Sequence, residues 1–176
     1  SEWTPVEIRT LCSPLTNLTQ LNLNICSDPT SFVEYVLLQL APQLVYLGTN
    51  NSRITEHPDH KLFSLRFPVL ESFITILSCE EGSECMDFLR CHTTLRHLHM
   101  NVFGGMITWE WDFSAMQLES IKLGIQKKQV TSLWLPSTLR SFEMRLGNST
   151  TVGDIVDIEP LLALETFNYE KRPMLK

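Results

Sequence analysis

Glycine is scarce, at 7 of 176 residues, and the chain has no P-loop, no dinucleotide-binding glycine pattern and no Gly-x-Ser-x-Gly elbow. Its carboxylates are scattered, with no spacing that would pair two of them in a pocket. We therefore expect no enzyme, no cofactor and no metal. No apolar stretch approaches the roughly 18 residues of a membrane span. Positive charge is also short, 14 Lys and Arg against 20 Asp and Glu, for a net charge of -6. That balance argues against non-specific binding to nucleic acid or to an anionic membrane. The N-terminus, SEWTPVEIRT, lacks a charged start followed by an apolar run, so no signal peptide is expected. An initiating Met is missing too, and the chain reads as a processed or trimmed fragment of a longer one.

Cysteine is present in an odd number, at Cys12, Cys26, Cys79, Cys85 and Cys91, with no Cys-x-x-Cys. A small secreted framework would favour an even count. Five reduced thiols in a cytosolic or nuclear protein are expected. The alternative is a secreted protein, because Asn17, Asn50 and Asn148 each open a glycosylation acceptor pattern. Cys79, Cys85, Cys91 and His92 crowd together, but five residues separate each successive pair of these cysteines. Zinc sites use shorter paired spacings, so Cys85 and Cys91 read as small fillers beneath a helix.

What the chain does have is repetition. Leu-x-x-Leu-x-Leu patterns begin at Leu18, Leu44, Leu70, Leu95, Leu118, Leu139 and Leu164, spaced by 26, 26, 25, 23, 21 and 25 residues. These periods lie in the leucine-rich-repeat range of roughly 20–29 residues. The second and third apolar positions of each pattern are two apart and so share one face of a short strand. One strand cannot bury that face alone; parallel neighbours stacked on it can. The intervening stretches must then return over the core. DPTSFVEYVLLQLAP offers Asp28 as a cap, then a stripe of Phe32, Val33, Val36, Leu37 and Leu40. EEGSECMDFLRCH and VGDIVDIEPLLAL carry similar stripes. The shorter gaps after Leu95 and Leu118 leave room only for loop or a turn of helix.

The expected fold is α/β: one leucine-rich-repeat domain over residues 1–176. It would be a horseshoe solenoid of about seven irregular turns, with a parallel concave sheet and convex helices or loops. Its core should hold Leu18, Leu21, Leu23, Leu44, Leu47, Leu70, Phe73, Leu95, Leu98, Met100, Leu118, Ile121, Leu123, Leu139, Phe142, Met144, Leu164 and Phe167.

FPVLESF at Phe67, FLRCHTTLRHLHM at Phe88 and LPSTLRSFEM at Leu135 each place a Pro or a Thr pair just before the first Leu of a strand. With these segments the chain resembles the leucine-rich-repeat part of F-box-type proteins, of the divergent fungal kind, over roughly Leu11 to Glu170. The resemblance implies the substrate-receiving segment of a ubiquitin-ligase receptor. The F-box helices are not recognisable in these residues. The Asn or Cys usual eight positions after the first Leu occurs only as Cys26, the others being Ser52, Ser78, Phe103, Gln126, Gly147 and Arg172. The repeats should accordingly be uneven.

In this register Arg96, His97, His99 and Asn101 fall on the concave face. Equivalent positions form lateral columns. One of them, Glu71, Arg96, Glu119, Arg140 and Glu165, alternates in sign at every step. It reads either as exposed ladder ion pairs or as a polar track for a partner. His97 and His99 flank one residue on one strand with no third ligand, which does not make a metal site. Ile74 and Ile76 would face solvent among polar residues, unless a register slip buries one of them in place of Thr75. The expected contact site is a protein-binding patch of Tyr46, Ile74, Ile76, His97, His99, Lys122, Glu143 and Arg145. The partner and the oligomeric state are not written in the sequence. An extracellular, glycosylated recognition domain of the same fold is the alternative function.

Overall fold

Among the described residues, six leucine patterns flank a strand start with the same turn, in which the N–H of one residue donates to the carbonyl three positions back. The computed structural model describes residues 5–23, 30–49, 62–77, 82–103, 108–125, 129–147, 151–155 and 163–171. Within them the turn bonds run from Leu18 to Leu15, Gln43 to Leu40, Leu70 to Phe67, Leu95 to His92, Met116 to Phe113 and Leu139 to Pro136. Each turn delivers the chain to a strand two to four residues later.

The strands that follow are β1 (Gln20–Leu23), β2 (Tyr46–Thr49), β3 (Ser72–Leu77), β4 (His97–Val102), β6 (Ser120–Ile125), β8 (Ser141–Leu146) and β10 (Thr166–Lys171). They form one seven-stranded sheet in the order β1-β2-β3-β4-β6-β8-β10. Every pairing in it is parallel. Register joins like to like: Leu47, Phe73, Leu98, Ile121, Phe142 and Phe167 lie side by side. The protein is thus α/β, with a parallel sheet whose neighbours are successive pattern strands.

The return paths differ between the two halves. In the first half they contain helices: α1 (Pro5–Cys12), α2 (Thr30–Leu40), a short 3-10 turn (Leu62–Ser64) and α3 (Gly82–Cys91). Asp28, the expected cap of α2, lies outside the described residues. In the second half the described parts of the return paths contain strands. β5 (Thr108–Asp112), β7 (Gln129–Trp134) and β9 (Thr151–Ile155) pair in parallel as a second, three-stranded sheet. This corrects two expectations. The short gaps after Leu95 and Leu118 hold strand rather than loop or helix. Val152–Ile155, read as the start of a helical stripe, is extended as part of β9. A gap of 21 or 23 residues is too short for a helix and two connections, but one extended segment closes it and pairs with the next.

The core lies between the large sheet and this covering layer. Val36, Leu37 and Leu40 of α2, Met86, Phe88 and Leu89 of α3, and Trp111 and Leu133 of the second sheet meet Leu47, Phe73, Leu98, Met100, Ile121, Leu123, Phe142 and Met144. Leu44, Leu70, Leu95, Leu118 and Leu139 are fully buried too. Leu18, Leu21, Leu23 and Leu164 pack against the core partly buried. Phe167 does not join it: it is 51% exposed, on β10, the last strand in the order of the sheet.

Polar stitches reinforce the stacking. Just before the first Leu, Thr94 Oγ1 donates to the carbonyl of Leu70 (2.7 Å), and Thr138 Oγ1 to that of Leu118 (2.8 Å). Gln43 occupies the equivalent place and donates from Nε2 to the carbonyl of Leu15 (2.6 Å). Each bond ties one turn to the preceding one. Thr138→Val keeps the shape and removes the donor, and urea unfolding should show a loss of about 1 kcal/mol. An unchanged midpoint would mean that water replaces the bond at no cost.

Candidate functional site

Alternation decides which side chains leave the core. In β3, Phe73, Thr75 and Leu77 are buried while Ser72, Ile74 and Ile76 are half-buried on the other side. β4, β6 and β8 repeat the pattern. There is no register slip at β3. Thr75 points into the core, and its hydroxyl accepts a hydrogen bond from that of Thr49 (2.9 Å) on the neighbouring strand. That pair removes the cost of burying a threonine, and so leaves Ile74 and Ile76 on the polar face.

All eight residues expected at the site lie on this face. Ile74, His99, Lys122 and Glu143 are consecutive neighbours across β3, β4, β6 and β8. Ile76 and Arg145 occupy the next row, separated by Asn101 and Gly124. Tyr46 and His97 occupy the row before, on either side of Ser72. His97 and Arg145 are exposed and the other six are half-buried. The row nearest the strand starts, Gln20, Tyr46, Ser72, His97, Ser120, Ser141 and Thr166, holds no Asp, Glu, Lys or Arg.

The alternating column corrects one expectation. Glu71, Arg96, Glu119, Arg140 and Glu165 each stand one residue before a strand, not on the face. Arg96 turns to the rim. Its guanidinium donates to the carbonyls of Thr93, Leu95 and Gln117 and lies 3.9 Å from Glu119. Arg140 pairs with Glu165 at 3.7 Å. Pairs this exposed contribute about 0–1 kcal/mol, so the column acts mainly to keep like charges apart at the sheet rim.

On the face itself the charges are neutralised in a chain. Lys122 Nζ lies 3.1 Å from Glu143 Oε2, Arg145 Nε 2.6 Å from Glu143 Oε1, and the same Nε 3.5 Å from Glu170 Oε2. The Arg145 contact to the buried Oε1 is a close ion pair. Burial alone would raise the Glu143 carboxyl, but the bond and charge of Lys122, with Arg145, outweigh it and hold the group below the usual carboxylate range. Burial lowers His99, and Lys122 and Arg145 lower it further against the pull of Glu143. His99 is thus held toward its neutral form, with its Nε2 3.4 Å from the Asn101 amide.

Two glycines shape the floor. A Cβ on Gly48 would come within 2.9 Å of Asn22 Oδ1 and 3.1 Å of the Tyr46 hydroxyl, and one on Gly124 would collide with Asn101 Oδ1. The side chains of the adjacent strand lean over the bare backbone in both places. Beside Gly124, at the strand ends, a notch of about 130 Å³ opens between Asn101, Phe103, Arg145 and Gly147. Sequence reading missed it; the available signal was a glycine inside an alternating strand, which marks close approach.

Cys12 and Cys85 are buried and Cys91 is exposed, all as free thiols, while Cys26 and Cys79 lie outside the described residues. Cys85 Sγ sits 4.0 Å from Met100 Sδ in the core, and burial pushes the Cys12 thiol up. Among the described residues no three His, Cys, Asp or Glu side chains are grouped to hold a metal ion, and no helix is long and apolar enough to cross a membrane. No protein-family profile, curated protein or solved structure matches the chain.

Proposed function

We propose that the chain is a leucine-rich-repeat solenoid that recognises a protein on the polar face of its seven-stranded sheet, without catalysis. The observation that carries this reading is the pair Ile74 and Ile76. Both are half-buried on a face otherwise made of amide, hydroxyl, imidazole and charged groups, while the helices and the second sheet pack on the opposite face. An apolar centre with a polar surround is the anatomy of a binding hot spot. The self-neutralised chain from Lys122 to Glu170 adds orientation more than affinity, since its charges already satisfy one another. Within the resemblance to F-box-type proteins, this face would receive the substrate of a cytosolic or nuclear ubiquitin ligase. The odd cysteine count without a Cys-x-x-Cys supports that compartment. The second reading, a glycosylated extracellular recognition domain, is favoured by exposed Asn17, which opens one acceptor pattern.

The test begins with partner capture on the wild-type chain, followed by titration of variants. Ile74→Arg and His99→Glu should each weaken binding by more than about 1 kcal/mol, or roughly fivefold in Kd, with the melting temperature unchanged. Normal binding by both, with loss on substituting exposed Leu38 and Gln39 of α2, would place the partner on the helical side instead.

A further inference from the structure

The last strand leaves two things open at once. Among the described residues β10 pairs on one side, with β8, and ends the strand order of the sheet. The Thr166 N–H donates to the Arg140 carbonyl, toward β8. Alternation then turns the N–H and C=O of Phe167 and Tyr169 outward, along the edge. The side chains of these same two residues lie on the core side of the sheet, yet are 51% and 46% exposed. The Phe142 ring meets Phe167 in a tilted contact at a centroid distance of 5.8 Å. An open hydrogen-bonding edge bordered by two exposed aromatics is a template for another strand.

The sequence of the edge is complementary to itself. We infer that β10 pairs antiparallel with β10 of a second copy of this chain, about a two-fold axis at Asn168. In that register Phe167 faces Tyr169 of the other copy, twice, with their outward backbone groups bonded to each other. Thr166 faces Glu170, and Glu165 stands across from Lys171. No like charges are opposed, and all the aromatics fall on one side. Moving the axis to position 167 sets Glu165 against Tyr169; moving it to 169 sets Phe167 against Lys171. Neither matches aromatic with aromatic and acid with base as the axis at 168 does. The two large sheets would join into one of fourteen strands, closed by symmetry, with no edge left at β10. The polar faces of the two copies would be continuous, so two partner sites would lie on one surface.

Sedimentation equilibrium of the full 176-residue chain should show a reversible dimer. Phe167→Lys and Tyr169→Lys should each weaken it by at least about tenfold while leaving the circular dichroism spectrum and melting cooperativity intact. Cross-linking reads the register independently of stability. In a Cys91→Ser chain, mild oxidation should link Asn168→Cys into a covalent dimer that Cys91→Ser alone does not form. Thr166→Cys and Glu170→Cys should form it only when combined in one chain. A monomer at every concentration, or a dimer insensitive to both lysine variants, overturns the proposal. So does an open-ended polymer, which would mean that β10 pairs in parallel with β1 of the next copy, Phe167 beside Leu21.

Discussion

Phe88→Ala should destabilise the protein by about 3–5 kcal/mol, the largest effect expected of any single truncation here. Phe88 is fully buried on α3. Its ring meets Phe63 at 5.6 Å and Phe67 at 6.0 Å, both edge-on, Phe73 at 5.1 Å and His92 at 4.1 Å. It thus joins the 3-10 turn, the turn before β3, β3 itself and the end of its own helix. Deleting the ring removes transfer energy and leaves a cavity whose walls belong to four different segments, so they cannot all close on it. Equilibrium unfolding in urea measures the loss. Asp87→Ala, one residue away and exposed, should stay within about 0.5 kcal/mol. A loss below about 2 kcal/mol at Phe88 would mean that the aromatic cluster repacks.

His92 should make the fold acid-sensitive from near neutral pH. It is 4% exposed, accepts the Phe67 N–H at Nε2 (3.0 Å) and lies with Nδ1 2.6 Å from the Phe88 carbonyl. Only the neutral ring with its proton on Nδ1 satisfies both bonds. Burial lowers its pKa from 6.5, the Phe88 carbonyl opposes that, and Arg66 adds to the lowering. The unfolded chain therefore takes up the proton first. Stability is full above pH 6.5 and falls as the pH drops below that value toward the folded pKa. The slope is at most about 1.4 kcal/mol per pH unit for one proton. His99 is lowered as well and adds a smaller slope of the same sign, being half open to solvent. Urea midpoints compared at about pH 7.5 and about pH 5.5 should differ in the wild type and differ much less in His92→Gln, whose amide oxygen can still accept from Phe67. His92→Leu should flatten the profile equally and cost a further about 1–3 kcal/mol at neutral pH, by orphaning that N–H. An unaltered slope in both variants would assign the acid sensitivity elsewhere.

The large sheet was legible in the sequence because two apolar residues two apart, preceded by a third, recur at nearly constant spacing; nothing but a strand presents Leu98 and Met100 together beside Leu95. The second sheet was equally periodic but was hidden by context. Trp109, Trp111 and Phe113 alternate, as a half-buried strand should, but they sit in a gap whose length suggested loop. Membership of the polar face followed from counting alone, which is why all eight site residues lie there. Arg96 did not follow, since parity says which side a residue takes only after the strand has begun. His92 sat beside three cysteines and invited a question about metals, whereas its role came from a contact with Phe67, 25 residues earlier, that no local spacing encodes. Phe167 kept the pattern of a core residue and lost the core, because burial also depends on what lies above a strand.

The Thr49–Thr75 pair bears on how the chain tells one alignment from another. A strand that slides by two residues keeps its apolar side chains on the same face, so apolar patterning cannot distinguish the shifted alignment from the native one. Sliding β2 against β3 by two would bring Thr49 beside Phe73 or Leu77 in place of Thr75. The bond between the two buried hydroxyls would then be lost, at about 0.5–1.5 kcal/mol. The native alignment alone avoids that penalty. The two threonines mark position along a sheet whose other core residues are nearly interchangeable.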